Sequence, residues 1–341
     1  MGEALSGKWI WVWNWRRCDG GDPQRVAERL KSAGCVGALV KAFDGAYWFD
    51  QGMAFRDIAR RLKARGISTG AWGYLYGRDP AGEAQKAIET AQYGEADLLM
   101  LDVETEFKGH SDVAEDVCRR IREALGPDYP VYYSSFAIAR YHQSFPYDAF
   151  RRHCRGAAPQ VYWNAFRWPV EQSVGWMYED YAALGDPGER VFPVGGLYNE
   201  GIVRYPPADE VREFARRAGA RGSTGISFWS YEHMDESMWQ AVASATIGER
   251  GEEDEMSSTE YETLSRELAA VGARVSRIEA AIGGAPAPTP TRTYTVQQGD
   301  TLSGIARKLG LDGWSALYDA NRHVIGGNPN LIRPGQVLAL P

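Results

Sequence analysis

The stretch Leu98-Leu99-Met100-Leu101-Asp102-Val103-Glu104 decides how the first two thirds of this chain fold. It is a short, nearly continuous apolar run that ends in two carboxylates, which is typical of a strand covered on both faces in a parallel sheet. Ser111–Leu125 follows with apolar residues at helical spacing. The two segments together predict one β-strand and the α-helix that returns the chain to the next strand.

The same alternation recurs on both sides of this unit. Eight apolar runs are found at Trp9–Trp13, Ala38–Phe43, Gly70–Tyr76, Leu98–Val103, Val131–Ser134, Gln160–Trp163, Val191–Gly195 and Gly225–Trp229. Helix-like patterns separate them, for example Pro23–Ala33, Met53–Lys63, Ala81–Gln92, Ser111–Leu125 and Asp209–Ala218, and Asp22, Asp79 and Ser111 are candidate helix caps. The arrangement predicts an α/β fold, a (β/α)₈ TIM-like barrel over residues 1–247. A doubly wound open sheet is the alternative, although no glycine-rich phosphate loop follows the first strand.

Residues 248–292 have a different composition and predict a connecting region. Glu249–Glu255 is an acidic linker, and Gly283–Pro290 is a Pro/Ala spacer. Between them, residues 260–282 have a heptad seam of Tyr261, Leu264, Leu268, Val271, Val275, Ile278 and Ile282. This spacing predicts a coiled coil and a homo-oligomer, and a trimer is preferred over a dimer. A single helix packed on the barrel is the alternative.

Composition excludes several classes of function. A net charge of −7 argues against non-specific nucleic-acid binding. No apolar run is long enough to span a membrane, and residues 1–8 lack a secretory signal, so we expect synthesis in the cytoplasm. The four cysteines and five histidines lack ligand spacing. We therefore predict reduced thiols, no metal site and no cofactor.

The carboxylates at the end of the fourth predicted strand are the candidate catalytic residues. Asp102 and Glu104 are two positions apart, so they lie on one side of the strand. They also lie at its carboxyl end, where barrel enzymes have their sites. Neighbouring carboxyls raise each other's pKa, and a neutral carboxylic acid can protonate a glycosidic oxygen. A solvated or helix-capping acidic pair is the alternative.

Other strand ends contain side chains suited to holding a sugar ring. Aromatic rings stack on the apolar face of a sugar, and polar groups fix its orientation. The candidate substrate-binding residues of the barrel are Trp13, Asn14, Tyr74, Tyr133, Gln160, Tyr162 and Trp229. Each of them is also a plausible core residue. Lys41 and Asp44 are expected to pair with each other or with the acidic pair.

Residues 293–341 have a βααβ pattern with several motif positions. These are Tyr294-Thr295-Val296, Gly299-Asp300-Thr301-Leu302, Ala306, Asn321, Asn330-Leu331-Ile332 and Pro334-Gly335-Gln336, with Asp300 as the expected helix cap. In these positions the segment resembles the LysM family. The resemblance implies binding of N-acetylglucosamine polymers, most of all peptidoglycan, in a groove between two loops. The residues of these loops are Asp300 and Thr301 in the first, and Asn328, Pro329, Asn330, Leu331 and Ile332 in the second.

The Asp-x-Glu at the fourth strand end resembles that of barrel glycoside hydrolases, namely family 25 lysozymes and, more distantly, family 18 chitinases and spore-cortex enzymes. The resemblance implies that Glu104 is the general acid/base and that Asp102 polarises the substrate's 2-acetamido group. Asn14 stands where the family 25 pattern has Asp, and the eighth strand lacks the expected Asp. Three interpretations follow: a peptidoglycan hydrolase, a non-catalytic wall-binding component with a degenerate barrel, and a chitin-directed glycosidase. The first is preferred, as a phage-type lysin released by a holin or carried by a virion or injection particle.

Overall fold

A computed structural model describes residues 5–248 and 293–340 except 298, 312, 326–328, 330, 331 and 334. The chain divides into two compact units. The first contains the predicted barrel, and the second contains the C-terminal βααβ segment. The predicted acidic linker, coiled coil and spacer lie outside the described residues.

Eight parallel strands form a closed barrel in the first unit. They are β1 (Gly7–Val12), β2 (Cys35–Asp44), β4 (Ser68–Leu75), β5 (Leu99–Val103), β6 (Val131–Phe136), β7 (Gly156–Val161), β8 (Val194–Gly196) and β9 (Gly225–Trp229). Neighbours pair in chain order, and β1 closes the barrel by pairing with both β2 and β9. The short β3 (Tyr47–Trp48) forms an antiparallel hairpin with β2. The predicted barrel is confirmed, and the open-sheet alternative is wrong.

Every barrel strand is followed by at least one α-helix. The helices are α1 (Pro23–Ser32), α2 (Phe55–Lys63), α3 (Pro80–Tyr93), α4 (Ser111–Leu125), α5 (Tyr147–His153), α6 (Trp163–Phe166), α7 (Val170–Ala183), α8 (Ala208–Ala220) and α9 (Glu236–Ser244). The Asp22 and Asp79 side chains cap α1 and α3 as predicted, accepting from Gln24 N and Gly82 N. Ser111 is instead the first residue of α4 and not its cap.

Two apolar layers result from the alternation of side chains along each strand. One layer packs the outer face of the barrel against the helices. The other fills the barrel interior and contains Trp9, Trp11, Leu39, Trp72 and Met100. The interior is crowded: a Cβ atom on Gly37 would lie 2.4 Å from the Trp9 ring. Close packing of this kind fixes which side chains face the cavity at the barrel mouth.

The second unit has the predicted β-α-α-β order. Strand β10 (Thr293–Thr295) pairs antiparallel with β11 (Val337–Ala339). Between them lie α10 (Leu302–Lys308), α11 (Trp314–Ala320) and the single turn α12 (Arg322–Ile325). The buried Asn321 links helix to sheet, because its amide donates to Leu317 O and Ala339 O and accepts from Ala339 N.

Candidate active site and glycan-binding groove

Asp102 and Glu104 lie at the carboxyl end of β5, at the mouth of the barrel. Met100 faces the barrel interior, and the period of two places Asp102 and Glu104 on the same inward side. Asp102 is 8% exposed, whereas Glu104 is half-buried in the loop that follows the strand. The pair therefore has one carboxyl within the barrel and one that reaches the cavity above it.

The Gln160 side chain connects the two carboxyl groups. Its amide nitrogen Nε2 lies 3.0 Å from Asp102 Oδ1 and 3.0 Å from Glu104 Oε1, and Ser134 Oγ is 3.3 Å away. An amide nitrogen has two hydrogens, so one is available for each carboxyl. Because Oε1 of Glu104 accepts from Gln160, the proton of a neutral Glu104 belongs on Oε2. This oxygen is then the one that can donate to a substrate.

Burial and mutual repulsion favour the retention of a proton by the acidic pair. Burial raises the pKa of Asp102 well above its usual range, and the charge of Glu104 raises it further, while Lys41 opposes both effects. The pKa of Glu104 is also raised by burial, against the hydrogen bond from Gln160. Two coupled carboxyls of this kind retain a proton at a pH where isolated ones are ionised.

The acidic pair opens into a cavity of about 280 Å³. Its lining residues are Trp11, Asp102, Glu104, Ser134, Gln160, Tyr162, Tyr198, Glu200 and Trp229. The ring centroids of Trp11 and Trp229 are 5.9 Å apart, and Trp72 packs within 5.5 Å of both. A cavity with an aromatic base and carboxyl groups in its wall suits a ring that has one apolar face and polar substituents.

Two tyrosines form another part of the cavity wall. The rings of Tyr162 and Tyr198 meet edge to face with centroids 5.8 Å apart. Burial raises the pKa of both phenols, and for Tyr162 the neighbouring Asp102 and Glu104 raise it further. Both hydroxyls therefore stay protonated and can donate a hydrogen bond, for example to an acetamide carbonyl.

Tyr74 lies beside the acidic pair but is not among the cavity-lining residues. It pairs in register with Asp102, and its hydroxyl donates to Glu106 Oε2 at 2.6 Å. Glu106 adds a third carboxylate, and its charge raises the pKa of Glu104. Lys41 and Asp44 form the expected ion pair at 3.0 Å.

Tyr133 is a correction to the sequence-based site. It is fully buried on the outer side of β6, where its ring stacks on Phe150 of α5 with centroids 5.4 Å apart. The inward positions of β6 are Tyr132 and Ser134, and Tyr132 belongs to the interior core while Ser134 lines the cavity. A shift of one residue along a strand reverses the face on which a side chain lies, so Tyr132 and not Tyr133 faces the barrel interior.

Trp13 and Asn14 lie at the end of β1 and contact a different part of the barrel mouth. Both backbone N–H groups donate to Glu232 Oε1, at 3.0 and 2.8 Å. The Trp13 ring stacks on His233 with an interplanar angle of 15°. Neither residue is among those that line the cavity, so their proposed contact with substrate stays a prediction.

Four cavity residues were absent from the sequence-based set, namely Trp11, Ser134, Tyr198 and Glu200. Trp11 and Ser134 share the inward parity of Trp9 and Tyr132 along their strands, so the alternation contained a usable signal. Tyr198 and Glu200 come from the loop after β8. No periodic pattern identifies loop residues, and only the fold brings them to the cavity.

The C-terminal unit has a separate groove of about 170 Å³, lined by Asp300, Thr301, Leu302, Ser303, Trp314, Pro329 and Ile332. Asp300, Thr301, Pro329 and Ile332 thus line the groove as predicted, whereas Asn328, Asn330 and Leu331 lie outside the described residues. Thr301, and not Asp300, caps α10, because its side chain accepts from Gly304 N. Asp300 instead accepts from Tyr294 and from Gln297 N. Trp314, 42% exposed, is an aromatic surface that the sequence-based site lacked.

Two other classes of site are absent from the described part of the chain. No cluster of three or more His, Cys, Asp or Glu residues there is arranged to hold a metal ion. None of the described helices is long and apolar enough to cross a membrane. The four cysteines are buried and free.

Comparison with known proteins identifies the C-terminal unit and finds solved structures with a similar barrel fold. Residues 294–341 match the LysM domain family, so this unit is a LysM domain. No curated protein matches the chain. The barrel is similar to the spore cortex-lytic enzyme SleL of Bacillus cereus, with a TM-score of 0.54, 9% identity, and coverage of 72% of this chain and 76% of that one.

Two further solved structures have similar barrels. The PgaB (BpsB) glycoside hydrolase domain of Bordetella bronchiseptica gives a TM-score of 0.55 at 10% identity, covering 72% of this chain and 99% of that one. Active domain 2 of the thermostable chitinase of Pyrococcus furiosus, solved with chito-oligosaccharides, gives 0.56 at 11% identity, covering 71% and 93%. At these identities the likeness shows the fold alone. A specific relation to family 25 lysozymes stays an expectation.

Proposed function

We propose that this protein is a glycoside hydrolase that cleaves N-acetylglucosamine-containing polysaccharide, peptidoglycan before chitin, and that its LysM domain binds the same polymer. The observation that carries the proposal is the Gln160 amide between Asp102 and Glu104, above a tryptophan-lined cavity. In the barrel, one carboxyl is oriented to donate a proton and its partner remains beneath the substrate. The solved structures with similar barrels include glycoside hydrolases and a chitinase bound to chito-oligosaccharides.

The mechanism follows from these positions. Glu104 Oε2 donates its proton to the glycosidic oxygen as the bond to the anomeric carbon breaks. Asp102, ionised, accepts a hydrogen bond from the acetamide N–H and so polarises the amide. The acetamide oxygen then attacks the anomeric carbon while a tyrosine hydroxyl, Tyr162 or Tyr198, orients it. Trp11 and Trp229 provide the apolar surface under the ring, and water later opens the cyclic intermediate with Glu104 as base.

Glu104→Gln tests the proposal. The change removes the proton donor but retains the shape and the hydrogen bond at Oε1, so wall binding and the midpoint of thermal unfolding should be nearly unchanged. Cleavage of purified peptidoglycan should fall by about 10²–10⁴-fold, the contribution of general acid catalysis. Zymography with mass analysis of released fragments measures this and identifies the bond cleaved. Retention of most activity would remove Glu104 from the mechanism and favour the non-catalytic alternative.

Chitin is the second candidate substrate, favoured by the chito-oligosaccharides bound to the chitinase with a similar barrel. The test applies equal masses of chitin and peptidoglycan to the intact protein. Faster release of fragments from chitin would make chitin the preferred substrate in place of peptidoglycan. The proposed chemistry at Glu104 would be unchanged.

Delivery and assembly belong to the same proposal. We propose a phage-type lysin or a hydrolase carried by a virion or injection particle, made in the cytoplasm and acting at the bacterial wall. Self-association through residues 260–282 would multiply weak LysM contacts by avidity. Val271→Asp with Ile278→Asp should convert an oligomer into a monomer that still cleaves, measured by light scattering. A monomeric mass for the unmodified protein would contradict the coiled coil.

A further inference from the structure

A second cavity opens on the loops that follow β7 and β8, beside the cavity that contains Asp102 and Glu104. It has a volume of about 560 Å³ and is lined by residues from two segments, 163–169 and 202–210. Part of its surface is apolar, with contributions from Trp168, Ile202 and Pro207, and Ile202 is 78% exposed. No step of the proposed cleavage involves these residues.

The two cavities share a wall. Tyr162 and Tyr198 line the first cavity, Asn164 lines the second, and all three side chains meet at Gly196 of β8. A Cβ atom on Gly196 would lie 3.0 Å from each tyrosine ring and 3.1 Å from Asn164 Oδ1. Tyr198 in the first cavity and Arg204 in the second also belong to the same loop after β8. A substituent of a sugar bound in the first cavity can therefore reach the second.

The charged groups of the second cavity favour an anionic ligand. Its lining includes two arginines, Arg167 and Arg204, and one carboxylate, Glu210, which accepts a hydrogen bond from Trp163 Nε1 at 2.8 Å. Arg204 Nη1 donates to acceptors within its own loop, the nearest being Gly201 O at 2.7 Å. Within the described part of the chain, neither arginine is paired with a carboxylate. Two guanidinium groups are therefore available to bind carboxylates of a ligand.

Two further features of this cavity indicate a ligand. Asn164 Nδ2 donates to Arg204 O at 3.0 Å, but its Oδ1 is buried and has no hydrogen-bond partner among the described residues. That oxygen can accept from an N–H of a ligand. Arg167 ends α6 in the left-handed conformation, with φ 57° and ψ 38°, where glycine is the favoured residue. A long cationic side chain at such a position suggests that the side chain itself is needed.

We propose that the second cavity binds the acidic peptide that peptidoglycan carries on its sugars, and that this contact makes the protein prefer peptidoglycan to chitin. The inference rests on the proposed function, because it names the part of the substrate that selects the polymer. The arginines bind peptide carboxylates, Asn164 accepts from a peptide N–H, and the apolar surface contacts small aliphatic side chains. Chitin has neither peptide nor carboxylate, and a neutral sugar in this cavity would leave both guanidinium groups unpaired.

Two substitutions at Arg167 separate binding from folding. Arg167→Glu reverses the charge, whereas Arg167→Gly removes the side chain and suits the left-handed backbone. The midpoint of thermal unfolding of Arg167→Gly should therefore be unchanged or higher, although its binding is weaker. Arg17→Glu is the matched control, because Arg17 is an exposed arginine after β1 that lines neither cavity. All variants are made in the full chain.

Initial rates are compared on three soluble substrates: peptidoglycan strands with their peptides, the same strands after an amidase has removed the peptides, and chito-oligosaccharides. Arg167→Glu should raise KM for the intact strands about tenfold with little change in kcat, since an exposed charge pair contributes up to about fivefold and the reversed charge adds repulsion. Arg167→Gly should raise it about threefold. High salt should reduce both effects by screening. Rates on chito-oligosaccharides, and all rates of Arg17→Glu, should be unchanged. An unmoved KM for intact strands, or an equal loss on chito-oligosaccharides, would overturn the inference.

Binding is measured separately by calorimetry in the Glu104→Gln background, which prevents turnover. The ligands are a soluble disaccharide that carries the peptide and the same disaccharide without it. The chain should bind the first more tightly, and Arg167→Glu should abolish the difference; the LysM domain is identical in both chains and cancels from the comparison. Equal affinity of the peptide-bearing ligand for both chains would also overturn the inference. If the unmodified protein cleaves none of the substrates, the proposed function fails, while calorimetry still decides the role of the second cavity.

Discussion

Gln160→Met removes the amide that connects the two carboxyl groups and keeps an unbranched side chain of similar length. In the active form, Glu104 is neutral and Asp102 is ionised, so one of the two lost hydrogen bonds, at 3.0 Å, has a charged acceptor. A hydrogen bond to a charged group contributes about 1.5–3 kcal/mol. The variant should therefore lose about 10-fold to 100-fold in kcat/KM at neutral pH, since about 1.4 kcal/mol corresponds to a factor of ten.

The pH profile separates this effect from a general loss of structure. The bond from Gln160 lowers the pKa of Glu104, so its removal raises that pKa further. The same loss of a donor raises the pKa of Asp102. At low pH, activity falls when Asp102 becomes protonated. At high pH, activity falls when Glu104 loses its proton. Both limbs should consequently move to higher pH, and part of the lost activity should return as the pH rises.

Initial rates on soluble chito-oligosaccharides and on peptidoglycan, taken across the acidic and neutral range, measure both quantities. The midpoint of thermal unfolding is recorded for each variant to show that the barrel is intact. If Gln160→Met keeps more than half of the wild-type kcat/KM with an unmoved pH profile, the amide does not organise the acidic pair. The mechanism would then need another donor for Asp102.

Two further predictions concern binding and stability. Trp314→Ala should weaken retention on insoluble peptidoglycan about tenfold, because the exposed ring offers stacking area at the groove. Pull-down with N-acetylglucosamine oligomers as competitors measures this retention. Equal retention of Trp314→Ala and the control Val324→Ala would contradict the prediction. Asp102→Asn should raise the midpoint of thermal unfolding at neutral pH. Burial raises the pKa of Asp102 in the folded state above its value in the unfolded chain, so this carboxyl destabilises the fold once the pH rises through its folded-state pKa. Asparagine does not ionise and avoids that loss. The gain should vanish at acidic pH in calorimetric scans, and an equal effect at both pH values would argue against this cause.

The periodic segments were the predictable part of the fold. The apolar run before Asp102 became β5, and Ser111–Leu125 and Gly225–Trp229 have the predicted bounds. Strand ends were less accurate: the run predicted at Gln160–Trp163 is the strand Gly156–Val161, and Trp163 begins a helix. Proline and an aromatic-rich turn weakened the alternation there, so the sequence pattern marked the end of the strand better than its start.

The acidic pair was predictable, but its surroundings were not. Asp102 and Glu104 share a face because side chains alternate along a strand, which is a local property of the backbone. The position of Gln160 depends on the pairing of β5 with β6 and of β6 with β7. No local pattern contains that information, because it is set by how strands distant in sequence pair and stagger when the barrel closes.

The sequence by itself determined the order of strands and helices, the carboxylates at the end of the fourth barrel strand and the LysM motif, since each depends on residues within a few positions of one another. Only the tertiary structure decided that Tyr133 faces the helices and that the loop residues Tyr198 and Glu200 reach the cavity. The physical reason is that close packing in the barrel interior selects one register, and this register determines which inward side chains meet in the same layer.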